Sequence, residues 1–260
     1  MTAETIVKEI QAVANPEKAE FLRRFFKTGP GQYGEGDCFL GIVVPVTRRI
    51  AKTHIQTPLQ EIKKLLQNPY HEIRLCALLI LTERNKKATE KERETIYHFY
   101  LQHTNCINNW DLVDLTSPEI VGKYLLNKDH KILYELAGKP HLWEQRIAVV
   151  STLTFIRHGE FVDTFALTEK LITHPHDLIH KACGWMLREV GKQDKNALTC
   201  FLENFVHHLP RTALRYAIEH YSPEKRRYFM QKKILNHRQN PAISNTCCSC
   251  PMAEKEFFQS

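Results

Sequence analysis

Trp110 and Asp114 stand four residues apart in the segment Asn108-Asn109-Trp110-Asp111-Leu112-Val113-Asp114. On an α-helix that spacing places an indole and a carboxylate on one face. An electron-rich ring beside a negative charge suits a cationic ligand. Asp111, close behind Asn109, reads as a first-turn acid that helps the helix start, whereas Asp114 lies beyond that turn and has no such local duty. The chain around the pair is basic, with 36 Lys and Arg against 29 Asp and Glu and a formal net charge of +7. That excess points to an anionic partner such as nucleic acid.

The elements that must hold these groups are helices. Apolar residues recur at helical spacing in segment after segment, and no run alternates as a strand does. Helices are expected over Glu4–Ala14, Pro16–Phe26, Pro58–Gln67, Glu72–Glu83, Glu90–Gln102, Lys131–Ala137, Glu144–Ile156, Phe161–Ile172, Leu178–Val190, Lys195–His208 and Glu224–Leu235. Three of them open alike, with a proline, a polar turn and then a basic residue: Asn68-Pro69 to Arg74, Lys139-Pro140 to Arg146, and His174-Pro175 to Lys181. Arg74 and Arg146 are 72 residues apart, Arg146 and Lys181 35, and half the longer interval lands on Trp110. A period near 36 built from helix pairs marks an all-α solenoid of HEAT-like repeats, in which equivalent positions stack along one face. Ser117-Pro118 should cut the Trp110 helix short, since proline favours the first turn of a new helix.

Lys181, Trp185 and Arg188 share a helix face at i, i+4 and i+7. With Trp110, Asp114 and Arg146 they are expected to line one concave, basic groove, where the Arg48-Arg49 pair adds further cations for phosphates. Taken singly, Trp143 and Trp185 fit a core role as well, and Arg146 fits a structural one. Their coincidence in one register favours the functional assignment.

Gly29-Pro30-Gly31-Gln32-Tyr33-Gly34 matches the dinucleotide-binding pattern, but that motif works only between a strand and a helix. Here a helix rich in Arg and Phe precedes it and no βαβ unit follows, so Gly29–Gly36 reads as a flexible loop. Of the eight cysteines, Cys38, Cys76, Cys106, Cys183 and Cys200 are scattered singly and read as reduced and mostly buried. Cys247, Cys248 and Cys250 lack a fourth ligand and the paired spacing of a structural zinc site, and read as a mobile tail with exposed thiols. At 43% hydrophobic and 25% charged residues the chain is ordinary globular material. Residues 1–240 are expected to form one domain and 241–260 the tail. No apolar run approaches the ~20 residues needed to cross a bilayer, and the N-terminus has no signal-like apolar core, so a cytoplasmic monomer is expected.

Trp110-Asp111-Leu112-Val113-Asp114, the Arg146 helix, Gly184-Trp185-Met186-Leu187-Arg188-Glu189 and the segment from Cys38-Phe39-Leu40-Gly41-Ile42 to Lys52 together resemble the AlkD-type DNA alkylation repair glycosylases over roughly residues 1–235. The resemblance implies a HEAT-like fold and hydrolytic excision of cationic N3- or N7-alkylated purines, such as 3-methyladenine and 7-methylguanine, from double-stranded DNA in base excision repair. It makes Asp114 the catalytic carboxylate, Trp110 and Trp185 aromatic contacts at the lesion, and Arg146 a catalytic-site arginine near the phosphate backbone. No metal or organic cofactor is expected, since the chemistry needs only a carboxylate and water. Two features depart from the pattern. The Gly29–Gly36 loop is an insertion that leaves open whether Phe25, Phe26 or Tyr33 supplies an N-terminal aromatic contact, and the Cys-containing tail has no counterpart. The alternative is a HEAT-repeat module that binds DNA or protein without catalysis. Such a module would keep the Arg and Lys residues but have no use for Asp114, whose charge repels phosphate.

Overall fold

The computed structural model describes residues 2–235. The first half runs through α1 (Ala3–Gln11), α2 (Pro16–Phe25), α3 (Val44–Thr53), α4 (Leu59–Leu66), α5 (His71–Asn85), α6 (Glu90–Gln102), α7 (Trp110–Asp114) and α8 (Lys123–Leu125). The second half continues with α9 (Lys131–Gly138), α10 (Leu142–Ser151), α11 (Leu153–Arg157), α12 (Val162–Leu171), α13 (Asp177–Gln193), α14 (Lys195–Phe205), α15 (Arg211–Ala217) and α16 (Pro223–Leu235). There is no β-strand among the described residues, only an isolated bridge between Cys38 and Tyr70.

The helices form two layers. In one, α5, α7, α10, α13 and α15 touch in succession, and α4, α6, α9, α12 and α14 back them as the partner layer. This is the α-solenoid of HEAT-like repeats that the 36-residue register predicts. Trp110, Asp114, Arg146, Lys181, Trp185 and Arg188 all lie on the first layer, because the repeat puts the second helix of each pair in line.

α5 is buried along nearly its whole length, His71 to Thr82 without a break. An interior helix needs partners for every polar side chain it carries. Glu72 finds three: its carboxylate accepts the backbone N–H groups of Leu40 (2.9 Å), Gly41 (2.8 Å) and Ile42 (3.1 Å). The Phe-Leu-Gly-Ile segment is therefore an anion-holding turn that ties the N-terminal helices to the core. Gly41 has φ of 80°, and a Cβ there would stand 2.0 Å from the Asn15 carbonyl oxygen, so only glycine fits.

Besides the three-residue α8, two helices escape the periodicity. α3 begins inside the Val43-Val44-Pro45-Val46 run, whose β-branched residues hide its helical pattern, and α15 spans only seven residues. α15 packs closely on α13, and Gly184 permits it: a Cβ at that position would come within 2.5 Å of the Ala213 carbonyl oxygen. The glycine of the Gly-Trp-Met-Leu-Arg-Glu motif is thus a packing residue. The expected helix Glu144–Ile156 is divided at Thr152 into α10 and α11, and α7 ends at Asp114, ahead of a π-helical turn from Pro118 to Gly122. No described helix is long and apolar enough to cross a membrane. The Cys247–Cys250 cluster lies outside the described residues.

Candidate functional site

α7 carries the site on five residues. Asn109 caps it, its side-chain oxygen accepting the Trp110 N–H at 2.9 Å. Asp111 is the first-turn acid expected, with Oδ1 accepting the Leu112 N–H at 2.9 Å. So short a helix has little stability of its own and must be held by its neighbours.

The holding is done by a buried network of charges. His71 lies between two carboxylates, Nε2 donating to Asp111 Oδ2 at 2.8 Å and Nδ1 facing Asp37 Oδ2 at 3.4 Å. Asp37 also accepts from Arg74 Nη2 (2.5 Å), Asn108 (3.0 Å) and Asn109 (3.3 Å), and Arg74 Nη2 donates to Asn108 Oδ1 at 2.9 Å. Burial on its own would lower the His71 imidazole, but Asp111 and Asp37 outweigh it and raise the group to about 9. Burial opposes ionisation of Asp37, yet the bonds from His71 and Arg74 hold it down at about 2. His71 is therefore an imidazolium at neutral pH. It fixes both Asp111, on α7, and Asp37, at the end of the glycine-rich loop.

Asp114 faces Arg146 across the gap between α7 and α10. Arg146 donates Nε to Oδ1 at 2.8 Å and Nη2 to Oδ2 at 2.7 Å, a two-pronged pair, while Nη1 donates to the Leu178 carbonyl oxygen at 2.5 Å. Burial pushes the Asp114 carboxyl above its ordinary range, and the guanidinium pulls it back. Arg146 is 5% exposed and has every nitrogen engaged. It presents no free guanidinium to a phosphate; instead it orients Asp114 and joins α7, α10 and the start of α13. Arg74, its counterpart two repeats earlier, is buried too and spends both terminal nitrogens on internal bonds, while its Nε has no partner.

The loop read as flexible is folded back onto the site. Tyr33 sits with its hydroxyl in reach of the Trp110 indole, and its ring meets Trp143 at 6.1 Å and His176 at 6.5 Å. Phe26 stacks on Trp110 at 5.3 Å, and Phe25 meets it edge-on at 6.1 Å. All three aromatic residues left open by the sequence converge on Trp110. Trp143 is buried in the core.

Asp114 forms part of the wall of a depression of about 240 Å3 that also takes in Arg48, Thr82, Lys86, Pro118 and Arg157. Lys86 and Arg157 belong to this wall although sequence periodicity gave them no place; both fall at helix C-termini, where the register is lost. Arg49, next to Arg48 in the chain, is exposed and is not part of this wall. The cations are met by carboxylates: Arg48 and Lys86 by Glu83, Arg157 by Glu119 at 3.7 Å, and Lys181 by Asp177 at 2.9 Å. Arg188 binds Glu219 and approaches Glu189 at 3.6 Å, and the Trp185 indole donates to Glu189 at 3.1 Å. Trp110, Asp114 and Arg146 are thus drawn into one constellation, with Lys181 beside it through Tyr33. Trp185 and Arg188 continue farther along α13 within their own ion-pair cluster. Among the described residues no group of His, Cys, Asp or Glu has the arrangement of a metal site.

No curated protein matches the chain. A solved structure, that of a predicted DNA alkylation repair enzyme from Enterococcus faecalis, aligns with a TM-score of 0.64 at 20% sequence identity, covering 81% of this chain and 97% of the other. The family model described as DNA alkylation repair enzyme matches residues 6–221. On that match, the chain belongs to the DNA alkylation repair enzyme family.

Proposed function

We propose that the protein is a DNA glycosylase that removes cationic N3- or N7-alkylated purines from duplex DNA by hydrolysing the N-glycosidic bond. The observation that carries this reading is Asp114, a nearly buried carboxylate held by two bonds from Arg146 in a wall otherwise rich in cations. A groove that merely binds DNA gains nothing from a fixed negative charge.

The chemistry follows from the substrate's own charge. A purine alkylated at N7 or N3 leaves as a neutral base and needs no general acid, so the protein's task is the electron-poor sugar left behind. Asp114 stabilises that developing cation or orients the attacking water. Arg146 occupies one lone-pair direction on each carboxylate oxygen and leaves the others for water or sugar. Trp110 offers a π face to the cationic nucleotide, a contact worth roughly 0.5–2 kcal/mol. Trp185 is the second proposed aromatic contact, and Lys181, Arg188, Arg48 and Arg49 are proposed phosphate contacts. Lys181 and Arg188 are held by the exposed carboxylates of Asp177 and Glu219, and such surface pairs are worth only about 0–1 kcal/mol, so a phosphate can replace them at small cost.

Purified protein should release free 7-methylguanine from methylated duplex DNA and leave hypoxanthine nearly untouched, because a neutral base is a poor leaving group without protonation. Equal rates on the two lesions, or no release from either, would overturn the reading in favour of a non-catalytic module. Arg157 is 55% exposed at the mouth of the depression, so Arg157→Ala should reduce the slope of log affinity against log salt by about one unit. An unchanged slope would remove that end of the depression from the DNA path.

A further inference from the structure

Three histidines gather where α13 begins, in the segment His174-Pro175-His176-Asp177-Leu178-Ile179-His180-Lys181. Each ring commits one nitrogen to the backbone. His174 Nδ1 accepts the His176 N–H at 3.0 Å, His176 Nδ1 accepts the Leu178 N–H at 3.1 Å, and His180 Nε2 donates to the His174 carbonyl oxygen at 2.5 Å. A ring nitrogen that accepts a backbone N–H carries no proton, so His174 and His176 hold theirs on Nε2. Burial lowers both imidazoles and favours the same neutral state; His180 acts on both in that direction and Lys181 on His176, while Asp177 opposes it at His176. Neither Nε2–H has a partner among the described residues, and both histidines are half-buried.

The cluster stands against the candidate site. The His176 ring meets Tyr33 at 6.5 Å, and the Tyr33 hydroxyl is in reach of the Trp110 indole. Two residues after His176, the Leu178 carbonyl oxygen accepts Nη1 of Arg146, whose other nitrogens hold Asp114. Asp177, the carboxylate that acts on His176, is engaged by Lys181 at 2.9 Å and by Thr212. The rings consume the backbone N–H groups of His176 and Leu178, so this surface offers a ligand imidazole rather than peptide. Two uncharged donors of fixed tautomer beside a lysine suit an anion that is held by direction as well as by charge, and a phosphodiester, with two unesterified oxygens, is such an anion.

We infer that His174 and His176 grip a backbone phosphate of the bound duplex through their Nε2–H groups, with Lys181 supplying charge to that phosphate or its neighbour. The inference rests on the glycosylase reading for placing this phosphate near the damaged nucleotide, but the contact itself needs only bound DNA. It divides the work of the groove. Lysine and arginine carry the salt dependence, whereas the imidazoles set where the strand stops, because a hydrogen bond is lost within about 1 Å of displacement and an ion pair is not.

The test exploits the two ways in which an amide copies an imidazole. The asparagine amide oxygen falls where His Nδ1 stands, and the glutamine amide nitrogen where Nε2 stands. His176→Asn therefore keeps the bond to the Leu178 N–H and loses the outward donor, whereas His176→Gln keeps the donor and loses the cap. Affinity for an undamaged duplex is measured by anisotropy at neutral pH over a range of salt, beside melting curves. His176→Asn should melt with the wild type and bind about 10-fold more weakly, the scale of one hydrogen bond to a charged group, at an unchanged slope of log affinity against log salt. His174→Asn should do the same. His176→Gln should bind as the wild type does although it melts lower, and Lys181→Ala should reduce the slope by about one unit. An Asn variant that binds as tightly as the wild type, beside a Gln variant that loses binding with stability, overturns the inference and leaves His176 a helix cap alone. A slope reduced by about one unit in His176→Asn also overturns it, by making the ring a cationic contact. Weaker binding by His176→Asn in a protein that releases no 7-methylguanine keeps the phosphate contact and removes the enzymatic reading, while release by a wild type that the Asn variant matches in binding does the reverse.

Discussion

Asp114→Asn lowers single-turnover excision of 7-methylguanine by about 10²-fold or more, the scale of losing one preorganised electrostatic group. The substitution keeps shape and nearly keeps volume. It removes the charge that faces the developing sugar cation and leaves the buried Arg146 without its anion. Binding to undamaged duplex should hold or tighten, because a negative charge has left a cationic wall, so affinity and chemistry separate. The pH dependence carries the same signature. Burial raises the Asp114 carboxyl above the ordinary aspartate value of 3.8. The wild-type excision rate should therefore fall, as pH is lowered, at a pH above that value, and the fall should be absent from the residual activity of the Asn variant. An Asp114→Asn protein that folds, binds and excises at the wild-type rate would sink the assignment of this carboxylate.

The second large effect is on stability. His71→Leu removes the one cation that faces both Asp37 and Asp111, leaving buried carboxylates short of a partner, and breaking such an arrangement costs about 3–5 kcal/mol. Urea unfolding should show this as a lower midpoint at constant slope. Adding Asp111→Asn to His71→Leu should recover part of the loss, since it removes the stranded charge; a double variant less stable than the single one, or a single variant within about 1 kcal/mol of wild type, would contradict the network. The wild-type protein should show the linkage directly. The His71 imidazolium is raised from 6.5 to about 9, so its contribution is fully present below pH 6.5 and is lost as pH rises through about 9. Asp37 is lowered from 3.8 to about 2, so its contribution is present above pH 3.8 and is lost as pH falls through about 2. Both operate together between those limits, and α7 with Trp110 and Asp114 is best held there.

Much of the architecture is written in local pattern. Helical spacing of apolar residues, together with openings repeated at a period near 36, specifies an all-α solenoid and puts Arg74, Trp110, Arg146 and Lys181 on one layer of it. The pairing of Trp110 with Asp114 needs only the pitch of a helix. The helices that escaped, α3 and α15, are short or masked by β-branched residues, and α15 is stabilised through the gap that Gly184 leaves on α13 rather than by a pattern of its own.

The division of labour among the charged residues is a different matter. Arg146 and Arg74 have the sequence context of groove cations, yet both are buried, because their carboxylate partners lie 32 and 37 residues away, respectively, in the chain. Asp111 looks like a helix-starting acid and is one, but its second oxygen belongs to His71, 40 residues distant. Glycines at 29, 31, 34 and 36 describe a loop free to move, whereas buried Asp37 and the aromatic contacts of Tyr33 fold that loop onto Trp110. Most of the helices, their repeat and the residues capable of chemistry can be read from the amino-acid order, since these depend on periodicities a few residues long. Which arginine is spent on which carboxylate and which aromatic ring meets the indole emerge from packing alone, because a buried charge or ring is stabilised by whatever the fold brings beside it, and that neighbour comes from a distant segment.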